Sequence, residues 1–286
     1  MEECIFSGLE PDNTEHLIPK WLQRRFNLWD ESLVLPNGST SPYRQVTVPV
    51  KTECNAMFGN IENVLASGQY PKQEVFLWAL KIHIGLIYRD SRLKLDRSSP
   101  TSPAILDVQN FAEEVWLFRQ LYDVWSKSGS ITPNPFGSVF ILDSLLDPTE
   151  FDFFNCMITG TIGVNLGDKF VVVFLWDQGD AYNSNIMRQW ETHHVPLVNS
   201  APANVRGSHA YIAHHVWACE SAYFLWRNRR SFNFLRTDNS LASVPALSRI
   251  PGKPVSEQQY ALVCRGFGLE LQEFNGESRN KYSRAS

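Results

Sequence analysis

The residues best suited to chemistry lie near the N-terminus, where Glu15 directly precedes His16. An apolar pair and Pro19 follow, so the sequence places a carboxylate and an imidazole on adjacent positions of a bend. Carboxylate oxygens are ligands that Mg²⁺ prefers, and an imidazole can take a proton from water. The pair can therefore divide the two tasks of metal-assisted hydrolysis between neighbouring side chains.

Two cysteine-containing segments flank this pair in the sequence. Residues 4–7 read Cys-Ile-Phe-Ser, and Cys54 is followed by Asn55. With residues 15–22, Glu-His-Leu-Ile-Pro-Lys-Trp-Leu, they resemble the HNH endonuclease family, whose fold is called ββα-metal. The similarity is to bacterial members that begin with Cys-Ile-Phe-Cys and later carry Cys-x-x-Cys-Asn, and it covers about the first quarter of the chain.

The resemblance implies a metal-dependent endonuclease that hydrolyses phosphodiester bonds, with a role in bacterial or phage-related defence. His16 would be the catalytic general base, Glu15 a metal ligand, and Asn55 a second metal ligand or catalytic positioning residue. Mg²⁺ or Mn²⁺ would be the cofactor, and the substrate would be nucleic acid, DNA in preference to RNA. Asn60 and Glu62, one to two helical turns beyond Asn55, are candidates to complete the oxygen ligands of the cation.

The sequence departs from the family at its structural zinc site. Family members hold zinc with four thiolates from two Cys-x-x-Cys pairs, whereas here Ser7 and Lys51 stand at two of those positions. A hydroxyl or an ammonium does not replace a thiolate on Zn²⁺. We therefore expect Cys4 and Cys54 to be the remnant of a degenerate zinc site.

A plainer interpretation of the same residues stays open. Glu15 and His16 can be ordinary polar residues at a helix start, where an acidic side chain complements the helix dipole. Cys4 and Cys54 can be small buried apolar side chains. The second functional hypothesis is accordingly a catalytically inactive, HNH-derived binding or scaffold protein that acts through its C-terminal domain.

A basic, aromatic stretch over residues 223–236 bears on that second hypothesis. Arg227, Arg229 and Arg230 alternate there with aromatic side chains, which suits phosphate neutralisation combined with base stacking. An amphipathic element with solvated arginines explains the same pattern. The sequence leaves these two alternatives open.

Composition limits the class of protein. The 286 residues are 43% hydrophobic and 20% charged, with a net charge of −4, which places the chain among globular proteins. Nucleic-acid contact therefore requires a local basic patch. Five dispersed cysteines exclude a disulfide scaffold. The sequence has no long apolar run and begins with acidic residues, so we expect a cytoplasmic protein without a membrane partner.

Periodicity predicts an α+β protein with an HNH-like module at residues 1–68 and a larger domain of unknown role at residues 69–286. The larger domain is expected to mix helices with antiparallel strands, and it is big enough for recognition or oligomerisation. A helix is predicted over residues 15–26, capped by Thr14 or starting only at Pro19. Further helices are predicted at residues 54–66, 74–88, 108–127 and 210–226, and strands at residues 46–50, 138–142, 159–166 and 169–175.

Overall fold

A computed structural model describes most of the first 176 residues and four short strands beyond them. The described residues are 3–127, 130–132, 137–144, 148–156, 160–176, 232–235, 241–244, 269–271 and 282–284. Helices and antiparallel strands both occur in these ranges, so the chain is α+β, as the sequence predicts. None of the helices described there has the length and apolar character needed to cross a bilayer. The cytoplasmic location stays a prediction.

The chain divides into two compact units. The first comprises Met1–Pro135 and Arg230–Arg249, and the second comprises Phe136–Arg229 and Ile250–Ser286. The first unit thus contains all of the predicted HNH-like module together with further helices. The boundary near residue 68 stays a prediction, and the predicted helix at residues 210–226 lies outside the described residues.

An antiparallel strand pair carries the Glu15-His16 motif. β1 (Asn13–His16) pairs with β4 (Thr47–Val50), which confirms the strand predicted at residues 46–50. α2 (Thr52–Ala66) follows β4 after a single residue. The order of these elements is therefore strand, strand, helix, with a long connection between the two strands.

The helix predicted over residues 15–26 is shorter than expected. α1 spans Lys20–Arg25 and begins directly after Pro19, whose φ is −59°. Proline fixes φ and lacks an N–H, so it fits the start of a helix but not its interior. Residues 15 and 16 pair in the sheet instead, and the motif therefore does not lie at a helix start.

The connection between α1 and β4 contains a small hairpin. β2 (Ser32–Val34) pairs antiparallel with β3 (Thr40–Pro42), and a 3-10 turn follows at Tyr43–Gln45. Gly38, in the hairpin loop, has a φ of +75°, a conformation that glycine adopts without steric strain. The hairpin loop and the 3-10 turn both contribute to the cavity described below.

Three helices form the core of the first unit. α3 (Lys72–Asp90) is buried on nearly every side, as its almost continuous apolar run predicts. α4 (Ala112–Ser126) follows a 3-10 turn at Val108–Phe111. The helices predicted at residues 54–66, 74–88 and 108–127 are therefore confirmed, with ends that shift by a few residues.

Two helical glycines give opposite expectations for the same substitution. A Cβ on Gly85 of α3 would lie 2.1 Å from Leu17 Cδ2, whereas a Cβ on Gly59 of α2 would have no neighbour within 4 Å. We expect Gly85→Ala to lower the free energy of unfolding by about 1–3 kcal/mol, because overpacking displaces side chains. Gly59→Ala should raise it by about 0.5–1 kcal/mol, since alanine is the better helix former. Urea unfolding measures both values, and shifts of the same sign would contradict the packing of Leu17 on α3.

A four-stranded antiparallel sheet forms the described part of the second unit's core. A turn at residues 165–168 joins β8 to β9, which confirms the predicted hairpin. The strand order is β6 (Ser138–Asp143), β9 (Lys169–Phe174), β8 (Thr161–Asn165), β7 (Phe153–Cys156). Two smaller sheets are also described. In the first, β10 (Phe232–Leu235) lies between β5 (Ser130–Thr132) and β11 (Leu241–Val244). In the second, β12 (Leu269–Leu271) pairs with β13 (Tyr282–Arg284).

Candidate functional site

His16 ends β1 in a half-buried position. Its imidazole stacks on Trp29, with ring centroids 6.1 Å apart and planes inclined by 27°. Burial lowers the pKa of His16 below its usual 6.5, and the charge of Lys20 acts in the same direction. Glu15 and the Arg44 backbone oppose this shift in pKa without reversing it. The ring is therefore neutral at pH 7, which is the form that can accept a proton.

Glu15 contacts different neighbours from His16. It is buried, and its Oε1 lies 2.5 Å from the Nζ of Lys81, in the middle of α3. The same ammonium donates a hydrogen bond to Oε1 of Glu62 on α2. Since the Lys81 side chain has no exposed surface, it joins β1, α2 and α3 through one buried charge. We refer to Glu15, Glu62 and Lys81 as the carboxylate–lysine cluster.

The charges of this cluster determine its protonation. Burial by itself would lower the pKa of Lys81, but Glu62 and Glu15 more than offset burial, and the pKa is raised. Burial raises the pKa of Glu62, with a further contribution from the charge of Glu15, while Lys81 opposes the shift. Lys81 is therefore protonated at neutral pH, and Glu62 takes up a proton more readily than an ordinary glutamate.

Asn55 lies in the first turn of α2, next to β1. Its Nδ2 donates a hydrogen bond to the carbonyl of Thr14, at 3.4 Å. The amide is thus tied to the backbone one residue before Glu15. The structure brings Asn55 near the motif through the main chain, while Asn60 is exposed further along the same helix.

Within the part of the chain that the structure describes, the residues around Glu15 do not form a ligand set for a divalent cation. Within the described ranges, no group of three or more His, Cys, Asp or Glu side chains could hold a metal ion. Glu15, the predicted ligand, is paired with a buried ammonium instead. An ammonium and Mg²⁺ compete for the same carboxylate oxygens, and the Lys81 ammonium already contacts Oε1 of both Glu15 and Glu62. The carboxylate–lysine cluster therefore has the chemistry of a buried ion pair rather than of a metal centre.

Cys4 and Cys54 are both buried and free, and their thiols interact with each other. The hydrogen bond from Cys54 lowers the pKa of Cys4 to about 5, against an opposing effect of burial. The same contact, together with burial, raises the pKa of Cys54. The backbone N–H of Lys51 donates to the Cys4 sulfur at 3.2 Å, but its ammonium pairs with Asp12. The two sulfur atoms thus lie together as a pair, and the Lys51 ammonium contacts the Asp12 carboxylate.

Lys81 is the residue that the sequence analysis missed. It is a lone cation inside an apolar helix, and lysine is almost never fully buried without a partner. The position of Lys81 in this helix was the signal available in the sequence, because a buried lysine needs carboxylates from other parts of the chain to face α3. The predicted contact residues Arg227, Arg229 and Arg230 lie outside the described residues.

Comparison of the chain with models of known protein families, with curated proteins and with solved structures finds no match.

Proposed function

We propose that the chain is a nucleic-acid-binding protein built on an HNH-derived ββα module that does not cleave its ligand. The ion pair between Glu15 and Lys81 carries the proposed absence of cleavage, since it occupies the carboxylate that the resemblance assigns to the cation. The nucleic-acid ligand is what the resemblance implies. The order β1, β4, α2 supports the HNH-derived part, because it is the ββα arrangement that the resemblance implies. The loss of two zinc thiolates, at Ser7 and Lys51, points in the same direction.

The buried ammonium explains why hydrolysis is not expected. A phosphodiester is hydrolysed when charge on the phosphate oxygens is neutralised as a nucleophile attacks. Lys81 cannot supply that neutralisation, because its side chain is fully enclosed and cannot touch a substrate. His16 supplies a base, but the ion pair with Lys81 leaves Glu15 without the metal ion that would neutralise the developing charge. The carboxylate–lysine cluster accordingly stabilises the module rather than the transition state.

A metal-dependent endonuclease is the second candidate function. One observation favours it: His16 is half-buried and neutral at pH 7, and so has the properties of a general base. In that case Asn55 would position the scissile phosphate or a cation, and DNA would be the preferred substrate over RNA. The two candidates differ in whether adding Mg²⁺ or Mn²⁺ produces turnover.

A combined binding and cleavage assay separates the two candidates. Wild-type protein and His16→Ala are incubated with supercoiled plasmid, single-stranded DNA and single-stranded RNA, in Mg²⁺ or Mn²⁺ and in EDTA. We expect retarded bands in a gel-shift assay and identical plasmid topology with metal and with EDTA, because Glu15 is paired with Lys81 rather than with a metal ion. His16→Ala should bind as the wild type does.

The control is Gln73→Ala, an exposed substitution at the start of α3. Metal-dependent nicking by the wild type and by Gln73→Ala, but not by a folded His16→Ala, would overturn the proposal of a non-cleaving protein and establish the endonuclease. Absence of both binding and cleavage would overturn both candidates.

A further inference from the structure

A cavity of about 340 Å³ opens on the first unit, between the β2–β3 hairpin and the loop that follows α3. Three cations line it, namely Arg92, Lys94 and Arg97, and no carboxylate is among the lining residues. Asp96 lies in the same loop, where it accepts hydrogen bonds from the backbone and the hydroxyl of Ser98. A chain of net charge −4 thus concentrates three positive side chains at one concave site.

Neutral hydrogen-bonding groups face the cations across this cavity. The hairpin contributes the hydroxyl-bearing residues Ser39, Thr40 and Ser41, and the 3-10 turn contributes the amide of Gln45. Hydroxyl and amide donors beside Arg and Lys are the groups that bind phosphate oxygens in protein–nucleic acid interfaces. The charges and donors of the cavity therefore match a phosphate ligand better than a cationic one.

The two walls of the cavity are held together before any ligand arrives. Asn37 Nδ2, in the hairpin loop, donates to the carbonyl of Lys94 at 2.8 Å. The loop after α3 is itself braced, with Leu95 N–H donating to the carbonyl of Pro103 at 2.9 Å. A preformed site loses less conformational entropy on binding than a site that must be ordered.

We propose that this cavity binds phosphate groups of a nucleic-acid backbone. The inference rests on the proposed nucleic-acid-binding function and gives it a location within the described residues. Gln45 belongs to the same 3-10 turn as Arg44, whose backbone interacts with His16. The cavity and the Glu15-His16 motif are therefore linked through one short element.

The test is a binding titration with a matched pair of charge variants. Lys94→Gln/Arg97→Gln removes two cavity cations, and Lys72→Gln/Lys127→Gln removes two exposed cations elsewhere on the same unit. Fluorescence anisotropy measures binding of a single-stranded DNA oligonucleotide over a range of salt concentrations. Inorganic pyrophosphate, followed by calorimetry, serves as the small phosphate probe.

We expect the cavity variant to reduce the slope of log Kobs against log salt by about 1.4, at about 0.7 per phosphate contact on a single strand. This change in slope corresponds to DNA binding by the cavity variant that is about 25-fold weaker than that of the wild type at 0.1 M salt. The control variant, with the same net charge, should stay within about twofold of the wild type, because generalised charge contributes little at this salt concentration.

The outcomes test the cavity as a phosphate site separately from the proposed nucleic-acid-binding function. If the cavity variant binds DNA as strongly as the wild type does, the cavity is not the phosphate-binding site, and the proposed nucleic-acid-binding function still stands. Pyrophosphate binding that is lost in the cavity variant, without any DNA binding by the wild type, upholds the phosphate site and overturns nucleic acid as its ligand. Failure of the wild type to bind either probe overturns both.

Discussion

Replacing Lys81 with methionine is expected to lower the free energy of unfolding by about 3–5 kcal/mol. Methionine retains an unbranched apolar stem but removes the ammonium, so Glu15 and Glu62 lose the cation between them. Breaking a buried ion pair on one side is costly because the remaining charge is neither hydrated nor neutralised. Urea unfolding followed by circular dichroism measures the loss.

Two further variants test the cause of this loss. Lys81→Met/Glu62→Gln also removes one of the two stranded carboxylates and should recover part of the stability. Lys20→Met, an exposed lysine-to-methionine change, should stay within about 0.5 kcal/mol of the wild type. If Lys81→Met were as stable as Lys20→Met, the carboxylate–lysine cluster would not join the three elements.

The pH dependence of Lys81→Met gives a second readout. In the wild type burial raises the pKa of Glu62 above 4.5, and Lys81 opposes that rise. Without the ammonium the folded-state pKa of Glu62 should rise further, so the folded chain binds more protons than the unfolded chain. Stability then falls as the pH increases above the unfolded value. We expect the loss to be largest at neutral pH and to shrink as the pH falls towards 4.5.

The helices of the first unit and the β8–β9 hairpin could be predicted from the sequence because their signals are local. The apolar run within α3 specifies a buried helix without reference to the rest of the chain. The turn at residues 165–168 specifies antiparallel pairing in the same way. β1 was not predicted, since residues 13–16 become a strand only by pairing with β4, more than thirty residues later.

The candidate site could be predicted in its residue types but not in its contacts. The sequence identified Glu15 and His16, and the resemblance assigned Glu15 to a cation. Its actual partner, Lys81, lies 66 positions away on α3. Ion pairs between distant elements have no spacing rule, in contrast to pairs three or four residues apart on one helix. The apolar run of α3 signals that Lys81 is buried, but which carboxylates face it emerges only when the helices pack.

Phe58→Ala is expected to lower the free energy of unfolding by about 3–5 kcal/mol. Phe58 is fully buried on α2, and its ring stacks on Phe6 with centroids 4.5 Å apart and on Tyr122 at 5.8 Å. Alanine would leave a cavity between rings that cannot fully collapse. Phe58→Leu retains most of the volume and should cost less than about 1.5 kcal/mol. Thermal or urea unfolding measures both variants, and equal losses would contradict this packing.

The same ring also connects the aromatic cluster to the buried charge. Lys81 Nζ lies 5.8 Å from the Phe58 ring centroid, within the range of a cation–π interaction. Phe58→Leu and Lys81→Met should therefore show a coupling energy of at least about 0.5 kcal/mol in a double-mutant cycle. Phe58→Leu combined with Lys20→Met should be additive, because Lys20 is exposed on α1. Additivity in both cycles would contradict a shared core. Coupling of Phe58→Leu with Lys81→Met, but not with Lys20→Met, would show that the packing of α2 against α3 stabilises the buried lysine together with its two carboxylates.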